Sequence, residues 1–379
     1  MMPEKIIFTP TLLDSHSIID VRTPLEFAED HLPGAVNVPI LTDAERVEVG
    51  TLYKQAGPQQ ARQRGLELTC SRFGAMVTRI ADHAAGRPIL VYCWRGGLRS
   101  LSMAILLEMS GYPVVQLWGG YKAFRGEVTA CFEDFVAPAP LMVIHGMTGT
   151  GKTTFINGLD RKKWTTIDLE GLACHRGSAF GEVGLLQGLG QKHFETLLWD
   201  AFRRAPDDRP IVLEGESQRI GKLSLPGNLY AVMAASCKVW CYASLATRVR
   251  RLAVEYARQE YREAMAAALE RIRKKLGGPI HAELAGRLAE WDVEGFGRGL
   301  IEHYYDRLYY KHRPWTPDVE IDLEDFCEAE RLLCEFWEHQ LPQIRNSPPD
   351  DGIRETSKQA TPHRRISPQD APVSSSGGS

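Results

Sequence analysis

Leu90-Val91-Tyr92-Cys93-Trp94-Arg95-Gly96-Gly97-Leu98-Arg99-Ser100 is the stretch from which the first half of the chain can be read. The apolar run Ile89-Leu90-Val91-Tyr92 predicts a strand that delivers Cys93 to its end, and the spacing beyond predicts an amphipathic helix over 99–109. A cysteine between a strand end and a helix N-terminus meets converging backbone N–H groups and the positive end of the helix dipole. With Arg95 and Arg99 beside it, that field favours the thiolate, the reactive form. Gly96 and Gly97, between Trp94 and Leu98, let the loop curl its N–H groups around one anion. The plainer alternative is a strand-end cysteine beside two solvated arginines. Glycines, arginines and helix start coincide here, which favours a site.

Outward from this loop the pattern repeats. Ser17-Ile18-Ile19-Asp20-Val21 predicts a strand, Arg22 to Phe27 a turn and brief helix, and His31 to Pro39 a short returning strand. Asp20 and Arg22 are expected either to brace the cysteine loop by hydrogen bonds to its backbone or to serve turn chemistry. Residues 41–85 read as helical and polar, with a loop at Gly57-Pro58, and Pro113-Val114-Val115-Gln116-Leu117 as a strand ending at Trp118-Gly119-Gly120. Strands alternating with helices indicate a parallel α/β sheet.

Phe135-Val136-Ala137-Pro138-Ala139-Pro140 reads as a linker, and Leu141-Met142-Val143-Ile144-His145 as another strand. Gly146-Met147-Thr148-Gly149-Thr150-Gly151-Lys152-Thr153 then matches the P-loop pattern in full, with Thr154-Phe155-Ile156-Asn157 opening a helix. Its amides would wrap phosphates, Lys152 would add a point charge, and Thr153 is a candidate Mg²⁺ ligand. The pattern leaves open whether the phosphates belong to a nucleotide or to another diphosphate. Residues 165–170 predict a second strand, followed by a glycine-rich loop over 171–181 that carries His175 and Arg176. Residues 211–216 predict a third strand, and 238–242 a fourth. Glu214 stands where P-loop proteins carry a metal-linked acid, so it and Asp168 are either functional or strand-end carboxylates.

Composition bounds the rest. A chain of 379 residues suggests two domains, and a formal net charge of −3 provides no global basic field for nucleic acid. The eight cysteines show neither CxxC pairs nor metal-ligand spacing, and no apolar run reaches the length of a membrane span. These features, with no visible signal peptide, predict a soluble, cytoplasmic protein with free thiols. Cys237 and Cys241, four apart, should share one strand face and pack the core. Residues 245–276 predict one long helix with nine basic and four acidic side chains, a balance of +5. Residues 303–313 interleave tyrosines with basic groups. Both stretches suit either a phosphate backbone with stacked bases or a solvated face over a tyrosine-lined core. From Arg345 the composition predicts a disordered tail.

Asp20-Val21-Arg22, Glu26-Phe27, the segment His31 to Asn37, Val91-Tyr92-Cys93 and Leu117-Trp118-Gly119-Gly120-Tyr121 together resemble a rhodanese domain. Rhodaneses carry sulfur on the cysteine as a persulfide. One departure is informative: Gly96 lies at Cys+3 as usual, but Arg99 lies at Cys+6. The resulting Cys-x5-Arg spacing is like that of the related cell-cycle phosphatases, so we expect a pocket large enough for a chalcogen donor bearing a phosphoryl group. The order of the two motifs, together with Asp168-Leu169-Glu170-Gly171-Leu172-Ala173-Cys174-His175-Arg176-Gly177-Ser178, resembles the bacterial tRNA 2-selenouridine synthases over about residues 6–340. The fold expected is therefore α/β. A rhodanese-like parallel domain (6–136) and a linker (137–140) would precede a P-loop NTPase-like domain with a helical, tRNA-binding extension (141–344) and a disordered tail (345–379).

The resemblance implies replacement of sulfur by selenium in 2-thiouridine at wobble position 34 of tRNAs such as those for Lys, Glu and Gln. It implies selenophosphate as donor and an S-geranyl intermediate made from geranyl diphosphate, with no tightly bound cofactor beyond possible Mg²⁺ and a monomeric state. Cys93 would carry selenium or attack the donor, with Arg95 and Arg99 on the phosphoryl group and Lys152 on the diphosphate. The alternatives are a Cys-dependent phosphatase, an ATP-dependent kinase or tRNA sulfurtransferase, and a non-enzymatic RNA-binding protein.

Overall fold

Ser17–Asp20 and Ile89–Tyr92 are buried at every position, as strands of a parallel sheet covered on both faces must be. In the computed structural model, which describes residues 2–185, 188–215, 217–311 and 315–346, they belong to a five-stranded sheet. Its strands are β1 (Glu4–Ile6), β2 (Ser17–Asp20), β3 (Val36–Asn37), β4 (Ile89–Tyr92) and β5 (Val114–Leu117), all parallel in the order β1-β5-β4-β2-β3. Helices α1 (Leu12–Ser15), α2 (Pro24–Glu29), α3 (Asp43–Gln55), α4 (Pro58–Thr69), α5 (Phe73–Ala84), α6 (Leu98–Met109) and α7 (Gly120–Glu133) connect and cover it. Reciprocal capping boxes, Thr23 with Glu26 and Thr42 with Glu45, start α2 and α3. The chain turns to opposite sides of the sheet after β2, so the ends of β2 and β4 lie at the switch point where α/β sheets bind ligands.

A second parallel sheet, ordered β12-β11-β6-β8-β7, follows the same logic. Its strands are β6 (Leu141–Gly146), β7 (Thr165–Ile167), β8 (Ile211–Glu214), β11 (Cys237–Tyr242) and β12 (Val319–Asp322), and a small antiparallel pair, β9 (Arg219–Ile220) and β10 (Leu223–Ser224), stands apart. Helices α8 (Lys152–Gly158), α9 (Leu169–Leu172), α10 (Gln191–Arg203) and α11 (Gly227–Ala235) accompany it. The central β6 feeds the P-loop, again at the switch point. One continuous core joins the sheets: Phe124, Phe132 and Phe135 pack with Phe194, Trp199 and Phe202 of α10.

The long helix expected over 245–276 is broken. It is replaced by α12 (Leu245–Tyr256), a 3₁₀ turn, α13 (Arg262–Arg271) and α14 (Arg273–Leu276). The cause lies in the apolar stripe. Continuing the face of Val249 and Tyr256 at 3.6 residues per turn would bury Glu260, Glu263 and Glu270. The apolar residues instead recur at Met265, Ala268, Leu269, Ile272 and Leu276, so the chain leaves the helix at Ala257 and Arg258 to bury both sets. Helices α15 (Gly278–Ala289) and α16 (Val293–Leu300), a π-helical turn over Ile301–Tyr305, and α17 (Asp306–Lys311) complete this helical lobe. Tyr304 and Tyr305 lie in its core, so these two tyrosines take the core alternative; His312 and Arg313 lie outside the described residues. Helix α18 (Phe326–Asn346) ends the described chain and takes in Arg345 and Asn346, the first two residues of the tail expected over 345–379, because the helix runs on to Asn346 before the proline pair; residues 347–379 lie outside the described residues. All eight cysteines are free, and no helix among the described residues is long and apolar enough to cross a membrane.

Candidate active sites at two strand ends

Cys93 leaves the end of β4 with its side chain 3% exposed, below a cavity of about 480 Å³ lined by Trp94, Arg95, Gly97, Leu98, Arg99 and Arg46. The Gly97 amide donates to Cys93 Sγ at 3.2 Å, and Ser100 Oγ lies 3.2 Å from the same sulfur. The loop is anchored from below. Gln116 Nε2 donates to Gly96 O (2.9 Å), Gly97 O (3.2 Å) and Ser100 Oγ (2.8 Å), while the Tyr121 and Lys122 amides donate to the Cys93 and Trp94 carbonyls. Two glycines make this approach possible. A Cβ on Gly96 (φ +64°) would lie 2.6 Å from Leu117 O, and one on Gly120 (φ +59°) only 2.2 Å from Cys93 O. The Trp118-Gly119-Gly120 segment is thus the floor on which the cysteine loop rests.

Asp20 does not bond the loop amides. Its carboxylate is taken by the Arg22 amide and by a two-pronged bond from the Arg22 guanidinium, both residues being fully buried. A buried carboxylate needs this cation more than the already satisfied loop does. Arg22 braces the site indirectly, donating to Asp30 O at 2.6 Å and lying 4.2 Å from the Tyr121 ring centroid and 5.9 Å from that of Trp94. Asp30 in turn accepts from Tyr121 OH (2.8 Å), Thr196 Oγ1 (3.0 Å) and His193 Nδ1 (3.0 Å), which ties the cysteine layer to α10. Burial alone would raise its pKa, but these hydrogen bonds outweigh burial and hold the carboxylate below its ordinary range. Arg99, expected on an anion, is held by Glu26 at 2.5 and 3.1 Å. Among the described residues no carboxylate pairs with Arg95 or Arg46. Arg46, Ser100 and Gln116 were not read as functional from sequence; only their packing beside the loop reveals them.

At the second site the P-loop wraps the end of β6 under a cavity of about 1170 Å³. Gly146, Thr148, Gly149, Gly151, Lys152 and Thr153 line it, and Thr150 is buried behind them with its hydroxyl on Met147 O (2.9 Å). Lys152 Nζ donates to Gly146 O (2.9 Å) and Met147 O (3.3 Å). From α12, Arg248 Nε holds Thr148 O at 2.9 Å while its guanidinium pairs with Asp306, and Arg251 holds Thr150 O at 2.5 Å. Two of the nine basic groups in 245–276 therefore shape the phosphate loop. Thr153 Oγ1 donates to Glu170 Oε2 at 3.1 Å, and Asp168 caps α9 through the Gly171 amide (2.6 Å) and accepts from Asn157 (2.8 Å). Arg176 faces the cavity, pairs with Glu255 and donates to Val183 O at 2.6 Å. His175 does not line the cavity; its ring packs where Cβ atoms on Gly181 and Gly221 would come within 2.6 Å.

Glu214 is fully buried at the end of β8, with Oε2 on the Leu169 amide (2.6 Å) and Oε1 without a hydrogen-bond partner among the described residues. Burial first, then the neighbouring Asp168 and Glu170 charges, push its pKa up to about 9, so it is a neutral acid at pH 7. Beneath the loop, burial and then Lys152 hold the His145 pKa down at about 4, so this imidazole is neutral. A tight side pocket of about 30 Å³ opens beside the cavity, lined by Phe180, Met265, Phe296 and Leu300. Thr148, Ser178, Leu252, Tyr256 and Tyr305 wall both.

Comparison with known proteins agrees with this division. The Rhodanese-like domain family matches residues 9–127, and the tRNA 2-selenouridine synthase AAA domain family matches residues 139–315. A tRNA 2-selenouridine synthase of Bordetella petrii is 36% identical over 78% of this chain and 86% of its own. Those of Bordetella bronchiseptica (35%, covering 81% and 90%) and Pseudomonas fluorescens (34%, covering 78% and 88%) are similar to the same extent.

Proposed function

The chain belongs to the tRNA 2-selenouridine synthase family, which makes it a tRNA-modifying enzyme, and from that premise we propose a two-site division of labour for exchanging sulfur for selenium. The substrate is 2-thiouridine at the wobble position, in tRNAs such as those for Lys, Glu and Gln. The P-loop site holds geranyl diphosphate and alkylates the thiocarbonyl sulfur; the Cys93 site handles selenophosphate, whose selenium displaces the alkylthio group. Alkylation matters because a thiocarbonyl sulfur leaves poorly, whereas an alkylthiolate leaves well.

One observation carries the choice of a prenyl diphosphate over a nucleotide. The phosphate loop opens into the cavity of about 1170 Å³ along an apolar wall of Leu252, Tyr256, Tyr305, Leu308 and Phe326, with room for a ten-carbon chain, while the adjoining side pocket of about 30 Å³ has room for a terminal methyl group only. Each buried CH₂ of a hydrocarbon chain contributes roughly 0.8 kcal/mol there. Loop amides and Lys152 would stabilise the departing diphosphate, where charge develops. Thr153 and Glu170, with Asp168 in the same cavity wall, form a hard-oxygen donor set that suits Mg²⁺ completed by substrate phosphate oxygens. Glu214 does not line the cavity and its Oε2 is taken by the Leu169 amide, so it is not part of that set.

The direct test is competition at the P-loop. Geranyl diphosphate should displace a fluorescent prenyl diphosphate from wild type but not bind Lys152→Ala. Displacement by ATP but not by geranyl diphosphate would overturn the prenyl reading.

A further inference from the structure

We propose that Cys93 takes the phosphoryl group of the donor rather than its selenium, an inference that rests on selenophosphate being that donor. The Cys93 thiolate attacks phosphorus, the P–Se bond breaks, and selenium leaves with the bonding pair, and with the proton it carries, as hydroselenide. Water then cleaves the S–P bond, the thiolate leaves with that pair, and orthophosphate departs. Hydroselenide is the nucleophile that displaces the alkylthiolate from the nucleoside. Every oxidation state is conserved. Moving selenium onto sulfur would instead oxidise selenide by two electrons. Among the described residues no second cysteine lines the pocket to release selenium from an S–Se bond.

The geometry fits phosphoryl chemistry in three ways. First, Sγ is bonded by groups that serve a thiolate both as nucleophile and as leaving group. The Gly97 amide donates to it at 3.2 Å, and Ser100 Oγ, which itself accepts from Gln116 Nε2 at 2.8 Å, keeps its proton for Sγ at 3.2 Å or Gly97 O at 3.2 Å. Second, Cys93, Arg99 and Ser100 stand in a Cys-x5-Arg-Ser order, and the loop between them lines a cavity of about 480 Å³ with room for a phosphoryl group. Third, two guanidiniums over the pocket remain unneutralised. Arg99 is matched by Glu26, but Arg95 and Arg46 have no carboxylate partner among the described residues.

Arg46 stays available because its acidic neighbours on α3 are engaged elsewhere. Asp43 accepts from the Leu25 amide, Glu45 pairs with Arg72, and Glu48 pairs with Arg64. Gly50, one turn on, leaves room for the Arg46 guanidinium: a Cβ there would sit 2.7 Å from Nη1. Two free guanidiniums match the two negative charges of a phosphoryl group. Arg46 and Ser100 are thus positioning residues for this step, one on the phosphoryl oxygens and one on sulfur.

The experiment mixes full-length protein with selenophosphate, stops the reaction after seconds, and reads Cys93 by peptide mass spectrometry while trapping released hydroselenide with an alkylating dye. The expected result is a phosphoryl adduct on Cys93 and a hydroselenide burst, both absent from Cys93→Ala. Ser100→Ala should accumulate the adduct by slowing its hydrolysis about ten- to hundredfold, with Ser100→Thr restoring turnover. Arg46→Ala should raise the half-saturating selenophosphate concentration by about tenfold or more, with partial rescue by Arg46→Lys. A selenium isotope pattern on Cys93 overturns the proposal, as does an Arg46→Ala protein that saturates like wild type. A parallel arm with para-nitrophenyl phosphate separates this step from the donor's identity. An adduct with that ester and none with selenophosphate supports phosphorus attack and sinks the donor reading; no adduct with either overturns both.

Discussion

Glu214→Gln should stabilise the protein in a pH-dependent way while leaving its pH 7 activity intact. The buried carboxyl has a pKa of about 9 in the fold against 4.5 in an unfolded chain, because burial and the Asp168 and Glu170 charges oppose ionisation. Between those values the folded protein keeps a proton that the unfolded chain has released. Stability is therefore full below the lower value and is lost as pH rises towards the upper one, at about 1.4 kcal/mol per pH unit. Glutamine copies the neutral carboxyl but does not titrate. From pH 6 to pH 8 the advantage of the variant should grow by roughly 3 kcal/mol, or about 3–5 °C in Tm. Thermal unfolding followed by circular dichroism at pH 6, 7 and 8 in metal-free buffer, where the Asp168 and Glu170 charges stay uncompensated, measures this directly. A gap that stays constant with pH would refute the reasoning. So would a folded Glu214→Gln protein that has lost Mg²⁺-dependent alkylation of tRNA, since the carboxylate would then be ionised and bound to the metal.

Gly120→Ala should destabilise by roughly 2–4 kcal/mol and expose Cys93 to faster alkylation, because the new Cβ meets Cys93 O in a left-handed backbone. Asp30→Ala strands the buried Tyr121 and Thr196 hydroxyls, and urea unfolding should show a loss of roughly 3 kcal/mol or more. Leu308→Ser, which removes an exposed apolar side chain from the wall of the large cavity, should raise the geranyl diphosphate concentration for half-maximal tRNA alkylation by about tenfold. The affinity of that variant for inorganic diphosphate should not change, as measured by calorimetry.

Both sheets were legible in the sequence because their central strands are built on unbroken apolar runs, Ile89-Leu90-Val91-Tyr92 and Leu141-Met142-Val143-Ile144, that lead into unmistakable loops. β1, β12 and the β9–β10 pair were missed because Glu4-Lys5-Ile6, Val319-Glu320-Ile321-Asp322 and the two-residue strands of the pair mix polar with apolar side chains over too few positions to show a period. Charge was the poorest guide. Arg99 and Asp20 looked available for the cysteine loop, yet Glu26 and Arg22 claim them, and these pairings across or within turns have no spacing signature. Arg46 and Gln116 reach the loop from α3 and β5, which only the tertiary fold brings near. The +5 count over 245–276 hid two arginines that grip P-loop carbonyls.

The central claim is that one chain divides alkylation and selenation between the P-loop and Cys93. The decisive measurement is nucleoside mass spectrometry of 2-thiouridine-containing tRNA incubated with geranyl diphosphate and selenophosphate, comparing wild type, Cys93→Ala and Lys152→Ala. The expected result is 2-selenouridine with wild type, accumulated S-geranyl-2-thiouridine with Cys93→Ala, and unaltered 2-thiouridine with Lys152→Ala. Selenouridine formed by Cys93→Ala at the wild-type rate, or S-geranyl product formed by Lys152→Ala, would contradict it.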